Sequence, residues 1–205
     1  MGYSSKLIER AVDEFAQLPS IGKKSAFRLV LHLINQPPEK VKEFTEAINY
    51  MKANLKTCTE CYNLSDEVQC SICKNLARQR STICVVESVR DVIAIEETDH
   101  YNGLYHVLGG VISPLEGIGA DDIKIQELID RITAKGVTEV IMALSPTIEG
   151  DTTIFYLSKL LKDKAVNITT LSRGVAFGSE LVYTDELTLG RSILARVPYG
   201  QGIEK

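Results

Sequence analysis

Four cysteines between Thr57 and Cys73, in the run TCTECYNLSDEVQCSIC, constrain this chain more than any other feature. Cys58 and Cys61 form one Cys-x-x-Cys pair, Cys70 and Cys73 form a second, and eight residues separate them. A Cys-x-x-Cys turn brings two sulfurs within bonding reach of one metal, and a second turn completes the tetrahedral thiolate cage that zinc takes in structural sites. The expectation is one Zn²⁺ ion held by all four sulfurs. No position is then open to water or substrate, so the site is a staple and not a catalyst. Two disulfides or a redox pair are the alternatives. Disulfides need an oxidising compartment, and the opening residues MGYSSKLIER do not resemble a secretion signal. The fifth cysteine, Cys84, lies inside the apolar run ICVV and reads as a small buried hydrophobe.

Composition matters chiefly through charge. At 205 residues the chain has room for one or two domains of roughly 100–200 residues each, and an apolar fraction of 44% supports a real core. The formal charge of −4 removes any argument for nucleic-acid binding from net charge and leaves it to a local patch. No apolar run is long enough to cross a membrane, and a cytoplasmic protein is expected.

The first segment is helical by its spacing. Ser4 or Ser5 starts a helix with Ile8, Val12, Phe15 and Leu18 on one stripe, and Pro19 ends it. The following run, Leu18 to Leu29, turns tightly into a second amphipathic helix reaching about Ile34, and resembles a helix-hairpin-helix, a motif that grips nucleic-acid backbone. Gly22 lets the hairpin approach a phosphate while free N–H groups at the next helix start point at it. Lys24 and Arg28 lie four apart on one face, next to Lys23, and would neutralise phosphates without reading sequence. Ser20 stands where the usual motif has glycine. The alternative is an ordinary helical turn with solvated lysines. After Pro37-Pro38, the stripe Val41, Phe44, Ile48, Met51 and Leu55 marks a third helix that packs on the first two and, as a further partner, on the same helices of another subunit. So small a unit has little core of its own, for which the neighbouring metal site would compensate.

From Arg80 strands and helices alternate. Strands are expected at Thr82–Glu87, Tyr105–Leu108, Glu139–Leu144 and Asn167–Leu171, with helices at Ser88–Glu97, at Ile123–Lys135 ending on Gly136, and after Ser145–Asp151 with Ile154, Leu157, Leu160 and Leu161 inward. That pattern indicates a parallel sheet with helices on both faces, which binds ligands beyond its carboxyl strand ends, where Glu87 and the Ser145–Asp151 turn fall. This pair of sites resembles a Toprim domain. In catalytic Toprim members a glutamate and an Asp-x-Asp loop followed by Glu-Gly hold magnesium. Here Glu87 and Glu149-Gly150 are present, but Ser145 and Thr147 occupy the two aspartate positions. Asp151 could offer one oxygen, leaving a weak site.

Taken together, the hairpin, the four-cysteine motif, the Toprim turn and the C-terminal runs Ser172–Tyr183 and Asp185–Leu189 resemble the RecR family of bacterial recombination mediators over nearly the whole chain. The resemblance implies an α+β multidomain fold: a helix-hairpin-helix unit (1–56), a four-cysteine zinc motif (57–74), an α/β Toprim domain with a parallel sheet (80–175) and a C-terminal oligomerisation segment (176–205) that makes subunit contacts. It further implies a ring-like homotetramer that clamps DNA and acts with RecO and RecF to load RecA onto gapped DNA, as an accessory protein and not an enzyme. Zinc falls on Cys58, Cys61, Cys70 and Cys73, DNA on Lys23, Lys24 and Arg28, and partner recognition on Glu87, Glu149 and Asp151. Arg173 and Arg191 are expected at the surface. A magnesium-dependent Toprim nuclease or topoisomerase-like enzyme, and a structural zinc protein that binds only proteins, are the rival readings.

Overall fold

The computed structural model describes residues 5–176 and 178–198. Ser4, Phe177 and the end of the C-terminal segment (199–205) lie outside them. The chain divides into two compact units between Leu55 and Lys56.

The first unit holds α1 (Lys6–Ala16), α2 (Lys23–Ile34) and α3 (Pro38–Asn54). Ser5 occupies the N-cap position of α1 but makes no side-chain cap bond. The helix stops at Ala16, two residues before the expected end. A residue preceding proline is disfavoured in helical geometry, so Leu18 cannot continue the helix, and the Gln17 and Leu18 N–H groups fold onto the Glu14 and Phe15 carbonyls. Leu18 is consequently half exposed instead of part of the stripe. The core is small: Val12, Ala26 and Val30 are buried, with Ile8, Phe15, Ile21 and Phe27 packed around them. The apolar stripe of α3 is not covered as expected. No residue of α3 is buried, Phe44, Ile48 and Met51 remain 43–55% exposed, and a recess of about 330 Å³ opens among Phe15, Leu29, Leu33 and Phe44.

The second unit begins with a hairpin of β1 (Lys56–Thr57) and β2 (Leu64–Ser65), followed by the short helix α4 (Ser71–Lys74). Then come β3 (Gln79–Val86), α5 (Val89–Glu96), β4 (Gly103–Val107), α6 (Ile125–Lys135), β5 (Glu139–Ala143), α7 (Ile148–Leu161), β6 (Asn167–Thr170) and α8 (Glu186–Leu194). The four longer strands form a parallel sheet in the order β4-β3-β5-β6. Side chains alternate across a strand, so β3 sends Ile83 and Val85 to one face, against Leu128 and Ile132 of α6 and Leu157 and Leu161 of α7. Cys84 and Val86 go to the other, with Tyr105 and Val92 of α5. Burial pushes the Cys84 thiol up to about 12, as befits an inert core residue. Gly136 ends α6 at φ 61°, a left-handed position that favours glycine.

The edge strand β4 is buried along its whole length. An uncovered edge invites pairing with another chain, and here the cysteine module covers it: the Val107 N–H donates to the Cys61 carbonyl at 2.8 Å. The metal-binding module thus braces the α/β unit through its contact with β4.

On the other side of β4, the Arg78 guanidinium clasps both oxygens of Glu96, while the Tyr105 hydroxyl donates to Glu96 Oε1 at 2.7 Å. The Arg78 hydrogen bond holds Glu96 below the usual glutamate range; burial opposes it and Tyr105 adds to it. Since the folded value lies below the unfolded one, this stabilisation is present above about pH 4.3 and is lost as the pH falls through the lowered value. Glu96→Gln is therefore expected to cost roughly 1–2 kcal/mol at neutral pH and to flatten the acid limb of stability against pH, as measured by urea unfolding.

Candidate metal centre and nucleic-acid interface

Each Cys-x-x-Cys pair sits on a turn held by backbone bonds. The β1–β2 hairpin carries the first, closed by Cys58 N–H to the Asn63 carbonyl (2.8 Å) and Tyr62 N–H to the Cys58 carbonyl (3.0 Å). Tyr62 takes φ 63° there. Cys70 caps α4 and Cys73 lies within it. All four sulfurs are buried and none is in a disulfide. Their Sγ atoms lie within 4.8 Å of one another, and Cys61 and Cys70 are 3.5 Å apart. Backbone N–H groups aim at the sulfurs, from Cys70 to Cys58 Sγ (3.3 Å) and from Cys73 to Cys70 Sγ (3.4 Å). Such donors favour thiolate, and four converging soft donors make a set able to hold a metal ion. With protons in place of a metal, the hydrogen bond to Cys73 and then burial push the Cys61 thiol far up, and the same bond brings the Cys73 thiol down. A metal displaces these shared protons, so its uptake weakens in acid.

In the first unit, Ser20 and not Gly22 adopts the left-handed conformation, φ 64°. The hairpin therefore keeps its turn at a modest conformational cost. Gly22 is the N-cap of α2 with ordinary extended angles, and a Cβ added there would meet nothing within 4 Å. Neither backbone nor packing demands this glycine. No side chain caps α2, and its first turn begins with Ala26 N–H to the Gly22 carbonyl, so the preceding amides face outward. Lys24 and Arg28 are exposed and form no ion pair among the described residues. Lys23 differs, pairing with Asp13 at 3.4 Å. The first 55 residues carry eight lysines and arginines against six aspartates and glutamates, although the whole chain is at −4.

At the carboxyl end of the sheet, Glu87 follows β3 and lies 3.5 Å from the Ser145 hydroxyl. Thr147, in an aspartate position of the Toprim pattern, caps α7 by accepting the Gly150 N–H. Gly150 is required there, because a Cβ would come within 2.0 Å of the Ser145 carbonyl oxygen. Glu149 is half-buried in the first turn of α7. Asp151, expected to offer one oxygen or to meet a partner, is held by Arg173 at 2.6 Å, which lowers its pKa. Among the described residues, only the four cysteines form a group of three or more His, Cys, Asp or Glu with converging ligand atoms. Glu87, Glu149 and Asp151 do not. The C-terminal run, in which Asp185 caps α8 through the Thr188 N–H, closes a recess of about 350 Å³ between Met142, Leu144, Leu187 and Arg191.

Sequence reasoning missed Arg131. It follows Leu128 by three positions and precedes Ile132, so it falls on the inward face of α6, where a lone charge needs a partner. Its side chain is 5% exposed and reaches the cysteine module, with Glu60 Oε2 at 3.8 Å.

A RecR helix-hairpin-helix model matches residues 8–52, a Toprim domain model residues 81–172, and a RecR C-terminal model residues 174–197. The chain is 52% identical to the recombination protein RecR of Flavobacterium johnsoniae over 97% of each chain. It is 54% identical to that of Phocaeicola vulgatus over 95% of each, and 48% identical to that of Porphyromonas gingivalis over 98% of each.

Proposed function

The chain belongs to the RecR family of recombination proteins, and from that premise we propose that it is a DNA-binding mediator of recombinational repair. In this reading four copies form a ring that encloses DNA, acts with RecO and RecF, and helps RecA load onto gapped DNA in the bacterial cytoplasm. The observation that carries the DNA contact is the open start of α2. Outward amides, a glycine with nothing near its absent Cβ, and Lys24 and Arg28, in no ion pair among the described residues, stand together there. A helix start attracts phosphate through its N–H groups and dipole, and the two cations release counterions on binding. Lys23 contributes once it leaves Asp13, an exposed pair of small worth.

Repetition makes a weak, sequence-blind contact useful, because linked sites bind with avidity. The uncovered stripe of α3 supports assembly, since a second copy offers a matching apolar surface across a twofold axis. Cys58, Cys61, Cys70 and Cys73 would hold Zn²⁺. When bound, it supplies a closed cross-link between two turns and no reaction on a substrate. Glu87 and Glu149 are assigned to a face for basic partners, with Asp151 acting through Arg173. The magnesium-enzyme reading is disfavoured by the commitment of Asp151 to Arg173 and of Thr147 to capping.

The test is the salt dependence of duplex binding by the full chain. Two phosphates neutralised per copy give a slope of log K against log salt of about −2 for one hairpin and about −7 for a ring of four. A steep slope with intact plasmid after incubation with Mg²⁺ is expected. A slope near zero, or strand scission by the purified chain, overturns the proposal.

A further inference from the structure

Arg131 is buried, its ion pair with Glu60 is loose, and among the described residues no carboxylate hydrogen-bonds to it. Its Nη1 donates to the Tyr105 carbonyl, its Nη2 lies 3.9 Å from Cys73 Sγ, and its Nε has no hydrogen-bond partner among the described residues. Glu60, the nearest acid, is spent elsewhere: Oε1 takes Lys135 Nζ at 2.7 Å, while Oε2 stands 3.8 Å from Arg131 without a hydrogen bond. A guanidinium in that condition is costly, because removing a charge from water is repaid only by a well-placed opposite charge. Four thiolates around a divalent cation carry a net charge of about −2, and that is the countercharge Arg131 faces. A further cation lies at Cys73, where Arg80 Nη2 donates to the backbone carbonyl at 3.0 Å.

We infer that Arg131 is a positioning residue of the metal centre. It balances the charge of the thiolate cluster through Cys73 and, through the Tyr105 carbonyl, fastens that cluster to β4. Tyr105 and Val107 are alternate residues of the same edge strand, and the cysteine module reaches both, through Arg131 and the Cys61 carbonyl. Metal retention and the closure of the sheet edge are thereby coupled by one side chain. This inference rests on the zinc reading, and the experiment separates the two.

The full chain is loaded with Zn²⁺ or Co²⁺, and metal loss to excess chelator is timed for wild type, Arg131→Met, Arg131→Lys and Glu60→Gln. Loss of an outer partner of a metal ligand weakens retention about 10- to 100-fold, so Arg131→Met is expected to release metal at least about tenfold faster. Its thiolate-to-cobalt absorption should move to longer wavelength, because a sulfur relieved of its donor is a better electron source. Arg131→Lys, which keeps the charge, should recover most of the retention. Glu60→Gln should release metal more slowly than wild type, since it removes the acid that competes for Arg131, and it remains informative if the Arg131 variants fold poorly. Equal loss from the Met and Lys variants, an unmoved cobalt band, or release from Glu60→Gln as fast as wild type or faster overturns the inference. A wild-type chain that takes up no metal ends the zinc reading with it.

Discussion

Replacing Cys73 with alanine is expected to empty the metal centre and lower the melting temperature of the α/β unit by about 10–15 °C. Cys73 sits at 0% exposure among the other three sulfurs, so no substitute donor reaches its place. Binding to a structural zinc site contributes about 10–16 kcal/mol in small domains with no other core. The second unit has its own core, built on Ile83, Val85, Leu128 and Leu157, so only part of that is lost. A loss of about 4 kcal/mol corresponds to the stated shift for a unit of this size. The damage should be local in origin. With the module loosened, the Val107 N–H loses the Cys61 carbonyl, and an unpaired strand edge is exposed. Calorimetry with metal analysis checks the stability loss, amide exchange at Val107 its location, and light scattering the self-association that should follow. A melt within about 3 °C of wild type, with metal gone, would make the site dispensable to the fold.

The second large effect is expected at α2. Lys24→Ala with Arg28→Ala should weaken duplex binding at least about 100-fold at low salt and flatten the salt slope, because each lost phosphate contact removes about 0.9 from that slope. Both residues are exposed, and neither belongs to the small core of Val12, Ala26 and Val30. Helicity and thermal stability should therefore stay near wild type, and so should metal content. Gly22 gives an independent control. A Cβ there meets no protein atom, so a valine that preserves the fold yet weakens DNA binding would show that the missing side chain makes room for something outside the protein. Unchanged affinity in the double variant moves the DNA contact away from α2.

How much of this was legible depends on how far apart the deciding residues are. The metal-binding set is written within sixteen residues, Cys58 to Cys73, and a turn brings such a pair together whatever surrounds it. Strand and helix alternation after Arg80 was legible for the same reason, as was the Gly136 stop. The chemical neighbours of the sites were not. Asp151 looked like a free oxygen donor until the fold brought Arg173 against it. Thr147 looked like a lost ligand and turned out to hold the first turn of α7.

What the sequence by itself determined is local: which stretches form helix and which form strand, which residues form converging pairs, and the order of modules that marks the family. The tertiary structure alone decided that Arg131, 58 residues from Cys73, faces its sulfur, that the cysteine module covers the β4 edge, and that the well-patterned stripe of α3 has no cover from the other described helices of its own unit. The physical reason is that spacing fixes contacts across one or two turns, whereas burial and charge pairing depend on which distant segments the whole packing brings together.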